Sequence, residues 1–358
     1  MSTSSDGPTG AVADAWDDVV GQDDLVARLR SSAAEPVHAY LFVGPPGSGR
    51  RAAARAFAGD VLAAGSEGDE ADRHRALARA ESHPDLVVVE REGPFITRDQ
   101  ARWIVNRAAM APVEGNRKVL VLTEFHLVLD AAPILLKSIE EPPAGTVFVV
   151  VADDVPPELV TIASRCVRLD FRAVPTTLVA ERLRAEGVED ERADIAAHAA
   201  GGDLARARLL ATDDELAARL EAWRAVAGRL DGTGATAADL VVELIELVDR
   251  ALVPLTDRQA TELEDLADQE ERYGMRRSGR KAVEDRHRRE RRRARTDELR
   301  TGFAALAGAY RADLVEHGRP GRAMTALAAL SDATETLERN PNERLLLQAL
   351  FVRLSAAT

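Results

Sequence analysis

The chain has 358 residues, of which 46% are hydrophobic and 30% charged, with a formal net charge of −13 and a single cysteine. A chain of this size folds as two or three domains with cores of their own. One cysteine excludes a disulfide framework and any multi-cysteine zinc site, the acidic balance argues against a protein that grips nucleic acid over its whole surface, and no apolar run approaches the ~18 residues of a membrane span. The first ten residues, MSTSSDGPTG, lack a basic stretch followed by an apolar one, so no secretory signal is read there and a cytoplasmic address is expected.

In chain order, residues 16–32 (WDDVVGQDDLVARLRSS) predict a short turn and then an amphipathic helix. The segment HAYLFVGPPGSGRRAAARAFAGDVL reads as strand, Gly/Pro loop and Ala-rich helix, with the strand at Tyr40 to Val43. A polar stretch, 64–84, has helix potential at 73–80, and DLVVVE (85–90) is a buried strand. A helix is expected at 97–111 and a buried strand, KVLVL, at 118–122. Another helix, 131–141, is stopped by Pro142 and Pro143, and further strands follow at 147–152 and 166–171. Continuous apolar strands alternating with helices predict a parallel sheet covered on both faces, hence an α/β domain over residues 1–170.

After Pro175 the strand signals stop. Residues 171–212 predict a small helical unit broken at Gly201-Gly202, and 213–358 read as helical throughout. One stripe places Leu240, Leu244, Leu247, Val248 and Leu252 on a face; another places Leu299, Phe303, Leu306, Tyr310 and Leu314. The last helix is expected to open with Asn340 as N-cap and Pro341 at its first position, and to carry Leu346, Leu350 and Leu354. Acidic residues dominate 239–271, and residues 272–300 are strongly basic. This basic run is read as a solvated helix face that the acidic stretch can satisfy internally, contact with DNA or a partner being the alternative.

Residues 44–51, GPPGSGRR, have the frame of a phosphate-binding loop, G-x-x-x-x-G-K-[ST], between a strand and a helix. Gly44 and Gly49 hold the glycine positions, with Gly47 between them. Arg50 stands where the lysine belongs, and its planar fork does not imitate a compact ammonium. Arg51 stands where a hydroxyl would hold Mg²⁺. At the end of KVLVL an aspartate and a glutamate are expected; the chain has Thr123 and Glu124. Joint loss at Arg50, Arg51 and Thr123 predicts a chain that does not hydrolyse ATP.

Several stretches resemble the delta-prime subunit of the bacterial DNA polymerase III clamp loader, a member of the AAA+ family: VVGQDDLVARL, HAYLFVGPPGSGR, and LLKSIEEPPAGTVFVVVADDVPPELVTIASRC, ending in Ser164-Arg165-Cys166. The likeness is good over 16–170 and weaker beyond. It implies a RecA-like AAA+ core, a helical lid (171–212) and an all-α collar (213–358) through which subunits assemble. It also implies a subunit that does not turn over ATP but lends Arg165 in trans to the ATP of a neighbouring gamma/tau subunit. Partners so implied are gamma/tau and delta, with the sliding clamp and primed DNA reached through the complex; the alternative is an active gamma/tau-like ATPase. The chain would then lie within a polymerase complex, although no polymerase carboxylate pair is found in it. Many relatives carry a four-cysteine zinc module after the first core helix. Here that region has no cysteine, and His74 and His83 cannot make a tetrahedral site unaided, so no metal is expected. Cys166 is read as a small buried residue.

Overall fold

The computed structural model describes residues 14–356, apart from 92, 94, 274–279, 319, 338 and 340. It divides into two compact units, Met1–Ala211 and Thr212–Thr358.

In the first unit a short 3-10 turn (Ala15–Asp18) precedes α1 (Asp23–Ser32), β1 (Ala39–Val43), α2 (Arg50–Ala63) and α3 (Gly68–Arg79). Then come β2 (Leu86–Val89), α4 (Arg98–Ala109), β3 (Lys118–Leu122), α5 (Ala132–Glu140), β4 (Thr146–Ala152), α6 (Pro157–Ala163) and β5 (Val167–Asp170). The five strands form one parallel sheet in the order β2-β3-β4-β1-β5. Every residue of β1, β3 and β4 is buried, as strands covered on both faces must be. Alternation divides them between two cores. Tyr40, Phe42, Val119, Val121, Val149 and Val151 pack with α2 residues such as Phe57. Leu41, Val43, Leu120, Leu122, Phe148 and Val150 pack with Ile104, Leu135 and Ile139. This is the parallel α/β core expected, its sheet covered on both faces.

Three helices complete the unit: α7 (Thr176–Ala185), α8 (Asp190–Ala200) and α9 (Leu204–Ala211). Arg208 of α9 bonds Asp18 at 2.6 Å and Glu186 at 2.7 Å, tying these helices to the start of the chain.

The second unit is helical in all its described elements: α10 (Leu216–Arg229), α11 (Gly234–Ala251), α12 (Val253–Tyr273), α13 (Arg280–His317), α14 (Pro320–Leu337) and α15 (Glu343–Ala356). Its centre is Trp223, edge-on to Phe303 at 5.8 Å, and Arg219, which is 3% exposed and bound to Asp213 at 2.6 Å and Glu298 at 2.9 Å. Burying that cation requires both carboxylates. Along α12 and α13, Glu262 pairs with Arg286 and with His287 (2.7 Å), Arg258 pairs with Glu290, and Arg291 donates to Gln259 at 2.8 Å. The acidic helix thus satisfies part of the basic one. Further along the run, Arg295 pairs with Asp249 and with Glu343 (2.7 Å); residues 272–282, 285 and 289 lie outside those whose side chains are described.

Three expectations need correction. The cap of α15 is Asn342, whose Oδ1 accepts from Leu345 N–H at 3.1 Å, and Pro341 stands before the helix; Asn340 lies outside the described residues. The side chain that meets the orphan amide sets the boundary, and Asn342 is the one in register with it. The buried face of α15 is Leu347, Leu350, Phe351 and Leu354, with Leu346 half-buried, because the helix turns one position further than a Leu-only stripe suggests. Leu247 and Leu314 are likewise half-buried, at the margins of their stripes.

Gly302 is a close approach rather than a flexible joint. A Cβ there would stand 2.1 Å from Trp223 Cε2, whereas one at Gly308 on the same helix would meet nothing within 4 Å. Gly302→Ala is therefore expected to destabilise the second unit by about 1–3 kcal/mol through overpacking. Gly308→Ala should stabilise it by about 0.5–1 kcal/mol through helix propensity. Unfolding midpoints of the two variants against wild type check both signs.

Candidate functional site

In a parallel sheet the loops after the strands converge at the strands' C-terminal edge, where α/β folds bind ligands. The phosphate loop follows β1 here, Glu90 and Arg91 follow β2, Thr123 and Glu124 follow β3, and Asp153 follows β4. The loop backbone is tightly seated. A Cβ at Gly44 would lie 2.4 Å from the Phe171 carbonyl oxygen; one at Gly47, whose φ is +76°, would lie 2.6 Å from the Gly201 carbonyl oxygen. The first glycine is needed because β5 ends against the loop, and the second because the Gly201-Gly202 turn between α8 and α9 packs on it. Gly49, with φ +83°, starts α2. Buried Gln22 staples the arrangement: its Nε2 donates to the carbonyls of Ser48 (3.2 Å) and Arg172 (2.7 Å).

The side chains fill this edge from within. Arg50 is buried; its Nη1 donates to the Ala152 carbonyl and its Nη2 to Asp153 Oδ1 at 2.9 Å. Its charge is spent on the end of β4. Arg51 turns to Glu90, with which it forms an ion pair. Burial would lower the Arg51 pKa, but the Glu90 carboxylate more than offsets this and holds it above its ordinary value. Thr123 is buried, and its Oγ1 donates to the Val89 carbonyl at 3.0 Å, closing the gap between β2 and β3. Glu124 adopts a left-handed conformation (φ 51°, ψ 37°) and accepts from Arg91 Nε at 3.1 Å. His126 Nδ1 accepts from the Asp153 N–H at 3.2 Å. So Gly44, Gly47, Gly49, Arg50, Arg51 and Glu124 are gathered at one edge. Their partners Gln22, Glu90, Arg91, His126 and Asp153 were not singled out from the sequence. Three of these five, Glu90, Arg91 and Asp153, stand just after strand ends, and that position was the available signal.

Arg165 is elsewhere. It precedes β5, whose Val167 is in register with Tyr40 at the beginning of β1, whereas Phe171 N–H bonds Val43 at the loop end. The extended chain from Val167 to Phe171 spans roughly 13 Å at ~3.3 Å per residue, and Arg165 lies in the turn before it. That is well beyond the reach of an arginine side chain, so Arg165 cannot serve the loop of its own chain. It bonds Glu140 Oε2 at 2.8 Å and is 32% exposed. Next to it, burial pushes the Cys166 thiol up to about 12, which leaves it protonated and unreactive at neutral pH.

Among the described residues, His74, His83 and Glu114 are close enough to hold a metal ion. The two rings bond each other, His74 Nδ1 to His83 Nε2 at 2.7 Å, and His83 Nδ1 accepts from the Asp85 N–H at 2.9 Å. With Nδ1 an acceptor, neutral His83 carries its proton on Nε2 and donates it to His74. Neither nitrogen in that contact then has a lone pair to spare, whereas a ligating histidine donates through its other nitrogen. Glu114 is meanwhile held by Arg73 at 2.9 and 3.1 Å. The cluster fits a neutral hydrogen-bonded pair better than a metal.

Burial, and then the charge of His74, lower the His83 pKa below its ordinary 6.5, against the opposing pull of Asp85 and Glu114. A lowered pKa means that the unfolded chain takes up the proton first. The contribution is complete above about pH 6.5 and is lost as pH falls from there toward the folded value. Wild type should lose stability between pH 6.5 and 5.5 with a steeper slope than His83→Asn, whose amide oxygen can still accept from Asp85 N–H. The limit for one proton is about 1.4 kcal/mol per pH unit. Urea midpoints across that range measure the difference.

Comparison with known proteins points the same way as the motifs. Residues 21–175 match the family model described as DNA polymerase III, delta subunit. The delta' subunit of DNA polymerase III from Pseudomonas aeruginosa is 34% identical over 199 residues, covering 45% of this chain and 60% of that one. The tau subunit from Bacillus subtilis is 30% identical over 200 residues, covering 53% and 36%. The chain thus spans between about a third and three fifths of the length of these relatives. A gamma subunit-related protein from Thermotoga maritima aligns over 92% of this chain with a TM-score of 0.48 and 14% identity, too distant to say more. Over residues 21–175, this chain is thus similar to subunits of DNA polymerase III of the delta' and tau kinds.

Proposed function

We propose that this chain is the non-hydrolysing subunit of a DNA polymerase III clamp loader, standing beside gamma/tau and delta subunits. In this reading it acts in the cytoplasm while the complex opens a sliding clamp and sets it on primed DNA. Its contribution is structural, apart from Arg165, which reaches the ATP held by a neighbour. The observation that carries this reading is the opposition of the two sheet edges. At one edge, Asp153, Glu90 and the Val89 carbonyl occupy the groups at the lysine, hydroxyl and aspartate positions of an Mg-nucleotide site. At the other stands an arginine too far away to serve that site. An arginine supplied in trans neutralises charge growing on the transferred phosphoryl group, an effect worth ~10³–10⁵ in rate.

The same geometry supports a chain that works without a nucleotide of its own. Phosphate and Mg²⁺ would have to displace ion pairs that already neutralise Arg50 and Arg51, and Mg²⁺ would find no hydroxyl at 51 and no carboxylate at 123. No zinc is needed either, since the His74–His83 pair and the Arg73–Glu114 pair close that region by themselves. No helix among the described residues is long and apolar enough to cross a membrane. The second reading is an active ATPase of the gamma/tau kind, favoured by the 30% identity to a tau subunit and by the retained Glu124.

Two measurements separate these readings. The isolated chain is expected to release no phosphate from ATP; release that needs Mg²⁺ and vanishes in Glu124→Gln would establish the second reading. In a reconstituted loader, Arg165→Ala should slow hydrolysis at the served site by ~10³-fold or more, with little change in unfolding midpoint, since a part-exposed ion pair contributes at most about 1 kcal/mol. Arg165→Lys, which keeps charge without the planar fork, should not restore the rate. Loaders carrying Arg165→Ala that hydrolyse ATP and load clamps at the wild-type rate would refute the assignment.

A further inference from the structure

Arg165 does not point freely from its loop. Its Nε donates to Glu140 Oε2 at 2.8 Å, and its Nη1 donates to the Thr161 carbonyl at 2.9 Å and to Ser164 Oγ at 3.2 Å. Its backbone is pinned too, by the bond from its N–H to the Ile162 carbonyl and by the contact between its carbonyl and His38 Nε2. Nη2 is the one guanidinium nitrogen with no hydrogen-bond partner among the described residues.

Glu140 is the last residue of α5, with Glu141 as its C-cap. Carboxylates at a helix C-terminus oppose the helix dipole, and Lys137 is the only basic residue in that last turn. Local rules are broken most readily where a site requires it. What Glu140 does there is fix the direction of one guanidinium. The pair is half exposed on the Glu140 side, at 52%, so it is weak enough not to withdraw the charge of Arg165 while still limiting its rotamers.

We propose that Glu140 is a positioning residue for Arg165. By holding Nε, it leaves the two hydrogens of Nη2 for a phosphate oxygen of the neighbouring nucleoside triphosphate. The proposal rests on the reading of Arg165 as a trans-acting group. Its chemistry is preorganisation: a long side chain already ordered loses less freedom on reaching the transition state.

The test is ATP hydrolysis by the reconstituted loader containing the full chain. The Arg165-dependent part of the rate is taken as the difference between wild-type and Arg165→Ala loaders. Glu140→Ala should lower kcat for that part about three- to tenfold, the size expected for disordering one long side chain. KM for ATP and the unfolding midpoint of the subunit should stay unchanged. Glu140→Gln, which keeps an acceptor for Nε, should restore most of the rate. In an Arg165→Ala background, Glu140→Ala should add nothing. Unchanged kcat in Glu140→Ala, with Arg165→Ala still impaired, would overturn the positioning role alone. A faster Glu140→Ala loader would overturn it by showing that Glu140 restrains the arginine, as would a loss that persists without Arg165. A full rate in Arg165→Ala itself would remove the trans-acting reading and this proposal together.

Discussion

The bonds from Arg50 to the end of β4 are the interaction on which the candidate site depends. A guanidinium taken out of water must be paired, and the cost of leaving it unpaired is several kcal/mol. In a phosphate loop that works on nucleotide, the ligand supplies much of the compensating charge. Here Asp153 and the Ala152 carbonyl supply it from the same chain, and Arg51 with Glu90 repeats the arrangement one residue on. The loop is thereby held without a ligand, and Gln22 fixes its backbone to the strand beyond. The pairs that hold the loop are the ones that, in the proposed reading, keep it from a magnesium nucleotide.

The direction of the sheet then separates two functions that a sequence motif list would place side by side. All five strands are parallel, so every loop after a strand is at one edge and every residue before a strand is at the other. The degenerate loop is at the first edge. Arg165, just before β5, is at the second, and β1, the strand that carries the loop, is also β5's neighbour. So placed, Arg165 stands away from the loop of its own chain, as the role in trans proposed for it requires.

The helical second unit shows how charge can be misread from composition. The basic run at 272–300 looks like a surface for polyanions, yet Glu262 and Glu290 draw Arg286, His287 and Arg258 into pairs along two adjoining helices. Deeper in the unit, Arg219 sits between Asp213 and Glu298. Charges that neutralise one another at short range contribute little to a field felt at a distance.

The sequence by itself determined the parallel α/β core, because uninterrupted apolar strands such as KVLVL can be buried only on both faces. It raised the expectation of a loop that does not hydrolyse ATP, because position 51 lacks a hydroxyl and position 123 a carboxylate. It pointed to Arg165 through a motif. The cap of α15 and the buried face around Leu347 and Phe351 were displaced by one or two residues, since propensity is local and the packing surface that selects the register is not. Only the tertiary structure decided where the arginine charges go, that His74 and His83 spend their lone pairs on each other and on Asp85, and that Glu140 holds Arg165. These pairings join residues far apart in the chain, 103 positions in the case of Arg50 and Asp153. Strand order and register bring such residues together, and both are properties of the folded sheet that no local spacing encodes.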